Sequence, residues 1–266
     1  MKREFAVLGI IAGLVVGLAT GFGLGWIGPS LFETGPGTSL LSEIQSRGSL
    51  IVGTSSDWPP FEIYNVTADP PQYEGFDIDL CDLIAAEIGV TVEWADMSFG
   101  ALIDACIAGT IDMIAAAMFA TPARVQQLAF SMGYIRTNMV MVVLENSTIT
   151  ASDYTDLIGY EVDVLSGSAE MWELDDAGVP YNDYPKADVM ATNLATNVSQ
   201  VAFVDEPVFD IWAKIYDFKV IFTVLAEPCS FFALWDEPEL MAVINKVILE
   251  SYSDGTLDAL VDKWFT

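Results

Sequence analysis

Histidine is missing altogether from these 266 residues. Without imidazole there is no His-metal site and no Ser-His or Cys-His nucleophile pair. Positive charge is scarce: 10 Lys and Arg stand against 38 Asp and Glu, for a formal net charge of −28. Phosphate would be repelled, so nucleic-acid binding is excluded, and a polybasic contact with anionic lipid headgroups is disfavoured. The acids are scattered rather than clustered, which fits a solvated, salt-screened surface better than a metal site. Cysteine is reduced to Cys81, Cys106 and Cys229. An odd count without CxxC spacing gives neither a zinc site nor a disulfide framework. Cys81 and Cys106 lie in apolar helical patterns, where a free thiol behaves as a small hydrophobe. In a doubly wound sheet their helices would cover opposite faces, so no bridge between them is expected. No cofactor and no metal ligand set is expected.

What is present is mostly apolar, 53% of the chain. Phe5 to Ile27 carries no charge and is long enough to span a bilayer as a helix. Lys2 and Arg3 precede it, which keeps the N-terminus cytoplasmic and the body outside. The apolar stretch is long for a secretory signal and no clean A-x-A follows, so an uncleaved anchor is favoured over a cleaved signal. Gly9, Gly13, Gly17, Gly21 and Gly25 recur every fourth residue along one helical stripe, a face that lets two membrane helices approach closely. Gly28 to Gly37 reads as a linker. Thr38 then caps a short helix that Arg47-Gly48 ends.

Beyond the linker, strands and helices alternate, which predicts parallel α/β architecture. Strands are expected at Leu50-Thr54, Val90-Trp94 and Ile111-Ala116, with helices at Ile78-Ile88 and Ala101-Ala108. Leu80, Leu83, Ile84 and Ile88 would form the inner face of the first helix. Thr121-Pro122 carries the N-cap and first-position signals of a third helix. Tyr134 to Leu144 leads onward to strands at Glu161-Leu165, Val179-Tyr184 and Gln200-Val204, with helices at Ala169-Asp176 and near Ala187-Thr196. Val220-Leu225 reads as a return strand, followed by helices at Pro238-Ser251 and Thr256-Phe265.

The chemistry sits at the C-terminal ends of strands, where open α/β sheets bind ligands. Asp57-Trp58-Pro59-Pro60-Phe61 is a rigid aromatic turn after the first strand, and Tyr73-Glu74-Gly75-Phe76-Asp77-Ile78-Asp79 opens the first helix. Thr121-Pro122-Ala123-Arg124 puts a guanidinium in the first turn of the expected helix, beside free N–H groups, an arrangement suited to a carboxylate. Leu165-Ser166-Gly167-Ser168-Ala169 is a strand-to-helix turn of small residues. Asp205, before Glu206-Pro207, ends an apolar strand. Singly, an isolated Arg is most often an ion-pair partner, Asp205 an N-cap and the small-residue turn an ordinary loop.

The ordered set, closed by Asp254-Gly255-Thr256 and Lys263-Trp264-Phe265, resembles family 3 extracellular solute-binding proteins from about Ser42 to Phe265. The resemblance implies an α/β protein of two Rossmann-like lobes joined by two crossover hinge strands, with residues 48–136 and 225–266 in lobe 1 and 137–224 in lobe 2. Residues 1–27 would be the anchor or signal, and 28–47 the linker and short helix. It implies an extracytoplasmic receptor, not an enzyme, that hands an amino acid to an ABC transporter permease. Arg124 would grip the α-carboxylate with help from Ser168, and Asp205 the α-ammonium. Trp58 and Phe99 would wall the side-chain pocket, within a ligand set of Ser55, Trp58, Phe61, Phe99, Ala117, Phe119, Thr121, Arg124, Ser168 and Asp205. Family members commonly carry Ser, Thr or Gly where this chain has Ala117 and Phe119, and members for cationic amino acids often carry an acid where it has Ser55. These departures favour a neutral, rather apolar amino acid. Cation–π contact would be the route for a basic one.

Two other classes compete. A ligand-sensing domain of a signalling system would share the fold. An enzyme on this scaffold, such as one resembling cyclohexadienyl dehydratase, would use Glu170 or Glu206 as acid or base, though no carboxylate pair stands out in the sequence. The sequons at Asn65, Asn146 and Asn197 fit an outward-facing body.

Overall fold

The computed structural model describes residues 39–266. The anchor expected at Phe5-Ile27, its glycine stripe and the linker lie outside the described residues. The described residues open with α1 (Leu40–Arg47), capped by the Ser39 hydroxyl and stopped by Gly48 in the left-handed conformation; Thr38, the expected cap, lies outside them.

Two five-stranded sheets follow among the described residues. The first is built from β1 (Ser49–Thr54), β5 (Thr91–Asp96), β6 (Met113–Ile114), β7 (Ala129–Phe130) and β13 (Phe232–Ala233). Between β1 and β5 the chain makes a three-stranded meander, β2 (Asp57–Trp58), β3 (Glu62–Asn65) and β4 (Gln72–Glu74), then α2 (Phe76–Ile88). α3 (Leu102–Ile107) links β5 to β6. The second sheet contains β8 (Asn138–Leu144), β9 (Val162–Leu165), β10 (Asn182–Tyr184), β11 (Val201–Asp205) and β12 (Phe218–Leu225). It carries α4 (Ala169–Ala177), α5 (Ala187–Ala195) and α6 (Glu206–Trp212). α7 (Pro238–Asp254) and α8 (Thr256–Phe265) come last and pack on α2 of the first lobe. Asp79 fastens that junction by accepting from Lys263 Nζ at 2.6 Å and Trp264 Nε1 at 2.7 Å.

The sheets are mixed, not all parallel as expected. The orders are β5-β1-β6-β13-β7 and β10-β9-β11-β8-β12. β1 pairs in parallel with β5 and β6, and β9 with β10 and β11. The strands beside the passages between sheets run the other way: β8 lies antiparallel to both β11 and β12, and β13 antiparallel to β6 and β7. A strand that arrives from the other lobe enters from the opposite end, so its direction reverses. The two passages are bonded to each other, Tyr134 N to Cys229 O at 3.0 Å and Cys229 N to Ile135 O at 2.8 Å.

Other expectations need correction. Residues after Thr121 do not form a helix. Arg124 N and Val125 N bond to Thr121 O, and Gln127 N and Leu128 N to Arg124 O, as consecutive turns that deliver the chain to β7. The segment is too short to repay helix nucleation before Leu128 is drawn into the core. Thr121 Oγ1 is buried without a partner, so it caps nothing. In α2, Leu83 faces outward at 36% exposure, and the inner face is Phe76, Leu80, Cys81, Ile84 and Ile88. Cys81, Cys106 and Cys229 are all buried free thiols.

Candidate functional site

A cavity of about 20 Å³ lies between the two lobes. Trp58, Phe99, Ala116, Ala117, Phe119 and Arg124 reach it from the first lobe, and Leu165, Ser168, Ala169, Glu170 and Asp205 from the second. One water needs about 10–15 Å³ on this measure, so the lobes are closed upon each other.

Arg124 lines this cavity and is 1% exposed. Its Nη1 donates to Phe119 O and its Nη2 to Gly167 O of the opposite lobe, both at 3.0 Å. The guanidinium carbon lies over the rings of Phe99 and Trp172, 5.2 and 4.8 Å from their centroids. Burial lowers its pKa to about 10, opposed by the charges of Glu170 and Asp205, so it stays protonated at neutral pH. Two of its five N–H bonds are used on carbonyls. The three that remain, including an unpartnered Nε–H, suffice for a bidentate carboxylate.

Asp205 ends β11 and faces Arg124 from the other lobe. Its Oδ2 accepts from Trp58 Nε1 at 2.8 Å, a bond that spans the lobes, while Oδ1 is buried with no donor. Glu170, in the first turn of α4, has its Oε1 in the same condition. The two carboxyl groups lie within hydrogen-bonding range of each other. Burial is the main cause that pushes both pKa values up. The neighbouring Glu170 raises Asp205 further, while Ser168 and Arg124 hold Glu170 down. A carboxylate pair therefore exists, contrary to the sequence reading. It escaped notice because Ser168 and Glu170 read as an ordinary helix start.

Ser168 is the cap of α4, its oxygen accepting from Met171 N at 3.3 Å, and it also bonds the Glu170 carboxyl. Ala117 is held in the left-handed region at φ 47°, where a residue with a Cβ is strained. Asp77 Oδ2 fixes it by accepting from Ala117 N at 2.9 Å and from Tyr134 Oη at 2.8 Å. Phe119 does face the cavity.

Three of the expected residues are not on the wall. Phe61 packs edge-on against Phe76 and Phe265 inside the first lobe, centroids 6.4 and 5.2 Å away. Ser55 Oγ donates to Asp57 Oδ1 at 3.1 Å. Thr121 lies behind Arg124 in the turn. Sequence reasoning missed Ala116, Leu165 and Ala169 on the wall and Trp172 beside the guanidinium, and it named Glu170 only as an acid or base of the competing enzyme reading.

The lobes also meet outside the cavity. Asp57 Oδ2 accepts from Ala187 N, at the start of α5, at 2.8 Å. Gly100 lies against Gly167: a Cβ on Gly167 would stand 3.0 Å from Gly100 Cα, and Gly167 has φ +77°.

Residues 50–266 match the family of bacterial extracellular solute-binding proteins, family 3, and the chain belongs to that family. It is 28% identical over 241 residues to the arginine-binding extracellular protein ArtP of Bacillus subtilis, a match covering 88% of this chain and 92% of ArtP. Among solved structures, a mutant of ArgBP from T. maritima superposes with a TM-score of 0.80 at 31% identity, covering 85% of this chain and 98% of that one. The ancestral amino acid-binding protein AncCDT-1, a precursor of cyclohexadienyl dehydratase, gives 0.78 at 28% identity, covering 86% and 100%.

Proposed function

We infer that this member of the family is an extracytoplasmic receptor that captures an amino acid between its lobes and delivers it to an ABC importer. One observation carries the reading: a buried guanidinium from one lobe and a buried carboxylate from the other line one cavity, each with unsatisfied valence. Those are the two groups that a zwitterion's carboxylate and ammonium require. The names of ArtP and AncCDT-1 support the same substrate class.

Binding follows as a closure. A cavity of about 20 Å³ is too small for an amino acid, so the lobes part to admit one, turning about the two bonded passages, and close again around it less tightly than they do here. The ligand's carboxylate takes the free N–H bonds of Arg124 and its ammonium takes Asp205 Oδ1. Only the closed form offers both, so the ligand favours closure by differential contact. Trp58, Phe99, Ala117, Phe119 and Leu165 suit an apolar side chain. A cationic one is the second reading, favoured by the unpartnered acceptor on Glu170. No turnover is expected. Phe5-Ile27 would tether the receptor beside its permease.

A thermal-shift screen of the twenty amino acids tests this. At least one should raise the melting temperature, as a ligand of the folded state does. Arg124→Ala should lose that rise. A response that survives in Arg124→Ala would remove the carboxylate from this site.

A further inference from the structure

The acid that the sequence lacks at Ser55 has a counterpart on the opposite wall. Glu170 is 3% exposed, lines the cavity, and presents an oxygen with no donor. It comes from α4 of the second lobe, whereas Ser55 follows β1 of the first and is turned toward Asp57. The cavity thus contains one fixed cation, Arg124, and two acids, Glu170 and Asp205. Around the pair stand Trp58 from β2, Ser168 from the cap of α4 and Tyr154 from the turn before β9, with Glu62 on β3 and the Cys229 thiol farther off.

Charge balance then distinguishes ligands. A neutral amino acid brings one carboxylate, which Arg124 matches, and one ammonium, which Asp205 matches. A second ionised acid would leave uncompensated charge in a buried cavity, and such a charge is neutralised by a proton. An amino acid with a cationic side chain brings one positive charge more, and that charge is balanced when the second acid is ionised. Contact between the side chain and Glu170 is not required, because opposite charges in a buried site attract over several ångströms.

Resting on the amino-acid reading of the cleft, we propose that Glu170, paired with Asp205, sets the side-chain charge this receptor accepts: the pair keeps one shared proton when the ligand is neutral and releases it to solvent when the ligand is cationic. The proton count closes in both cases: it stays on the pair with a neutral ligand, and passes to buffer as the cation enters. The burial that pushes both pKa values of the pair upward, that of Asp205 the more strongly, brings this exchange toward the working pH range. The ratio of affinities for cationic over neutral amino acids therefore rises with pH, by up to about tenfold per unit while the proton is being lost.

Calorimetry against all twenty L-amino acids at pH 5.5 and pH 8, in two buffers of different ionisation enthalpy, reads both quantities. The expected result is release of a proton with lysine or arginine, none with leucine or other neutral ligands, and a cationic-to-neutral ratio that climbs with pH. Glu170→Gln should flatten that climb and lower the ratio at pH 8 at least tenfold. Equal proton counts for the two ligand classes in the unsubstituted protein would overturn the proposal without using any variant. So would a ratio unmoved by both pH and Glu170→Gln. If no amino acid binds, the receptor reading fails and the proposal falls with it; if amino acids bind and the ratio does not move, the proposal alone falls.

Discussion

Asp57 and Ala187 hold the two lobes together without touching the cavity. The Asp57 carboxylate follows β1 in the first lobe and accepts from the backbone N–H of Ala187, which begins α5 in the second, at 2.8 Å. A carboxylate at a helix N-terminus meets free N–H groups and the positive end of the helix dipole. Here donor and acceptor belong to different lobes, so the bond exists only in the closed form. Ser55 steadies the acceptor by donating to its other oxygen.

Asp57→Ala should therefore weaken ligand affinity without altering any wall residue. A capping bond of this kind is worth about 1 kcal/mol, which is roughly a fivefold change. The loss should fall on the dissociation rate, since the latch forms after encounter. Stopped-flow traces with unchanged release rates would show that the latch contributes nothing.

Gly167→Ala should hold the lobes apart. A methyl group there would stand 3.0 Å from Gly100 Cα, and the residue's φ of +77° adds strain of its own. Small-angle scattering should give a larger radius for the variant with saturating ligand than for the parent protein. Identical compaction in both would mean that the backbone yields at this contact.

Asp77 makes stability depend on pH. Burial raises its pKa from 3.8 to about 7, against the opposing bonds from Ala117 N and Tyr134 Oη. The folded chain thus holds this proton more tightly than the unfolded one. The contribution is full below about pH 4 and is lost as pH rises through about 7, with a slope on the order of 1 kcal/mol per unit. Asp77→Asn, which stays neutral, should reduce the fall in melting temperature between pH 5 and pH 8. Parallel melting profiles for the two proteins would show that Asp77 ionises without consequence.

Much of the frame was legible because period and punctuation agree. Gly48 and Gly89 stop helices by adopting the left-handed conformation their sequence context signals. Arg124 and Asp205 were found through the turns and strand ends that carry them, and both reach the cavity. The turn after Thr121 was misread because a capping residue followed by proline looks the same whether one turn or four follow. The meander from Asp57 to Glu74 was not read at all, since its strands of two to four residues are too short to show alternation. Leu83 was placed inward because periodicity tells which residues share a face, not where that face ends. Glu170 and Trp172 lie near the start of α4, and their approach to Arg124 depends on how the second lobe meets the first. No local pattern encodes that distance.

The order in which the polypeptide is made has a bearing on how it matures. Every strand of the second sheet comes from the uninterrupted stretch 138–225, so that sheet can be complete while later residues are still being synthesised. The first sheet needs β13, and its α2 needs α7 and α8, all encoded after the intervening lobe. A nascent chain should therefore expose unfinished apolar surface on one side until its last helices emerge. Pulse-labelled hydrogen exchange on stalled chains would register this as early protection at Val201 to Asp205 and late protection at Leu50 to Val52.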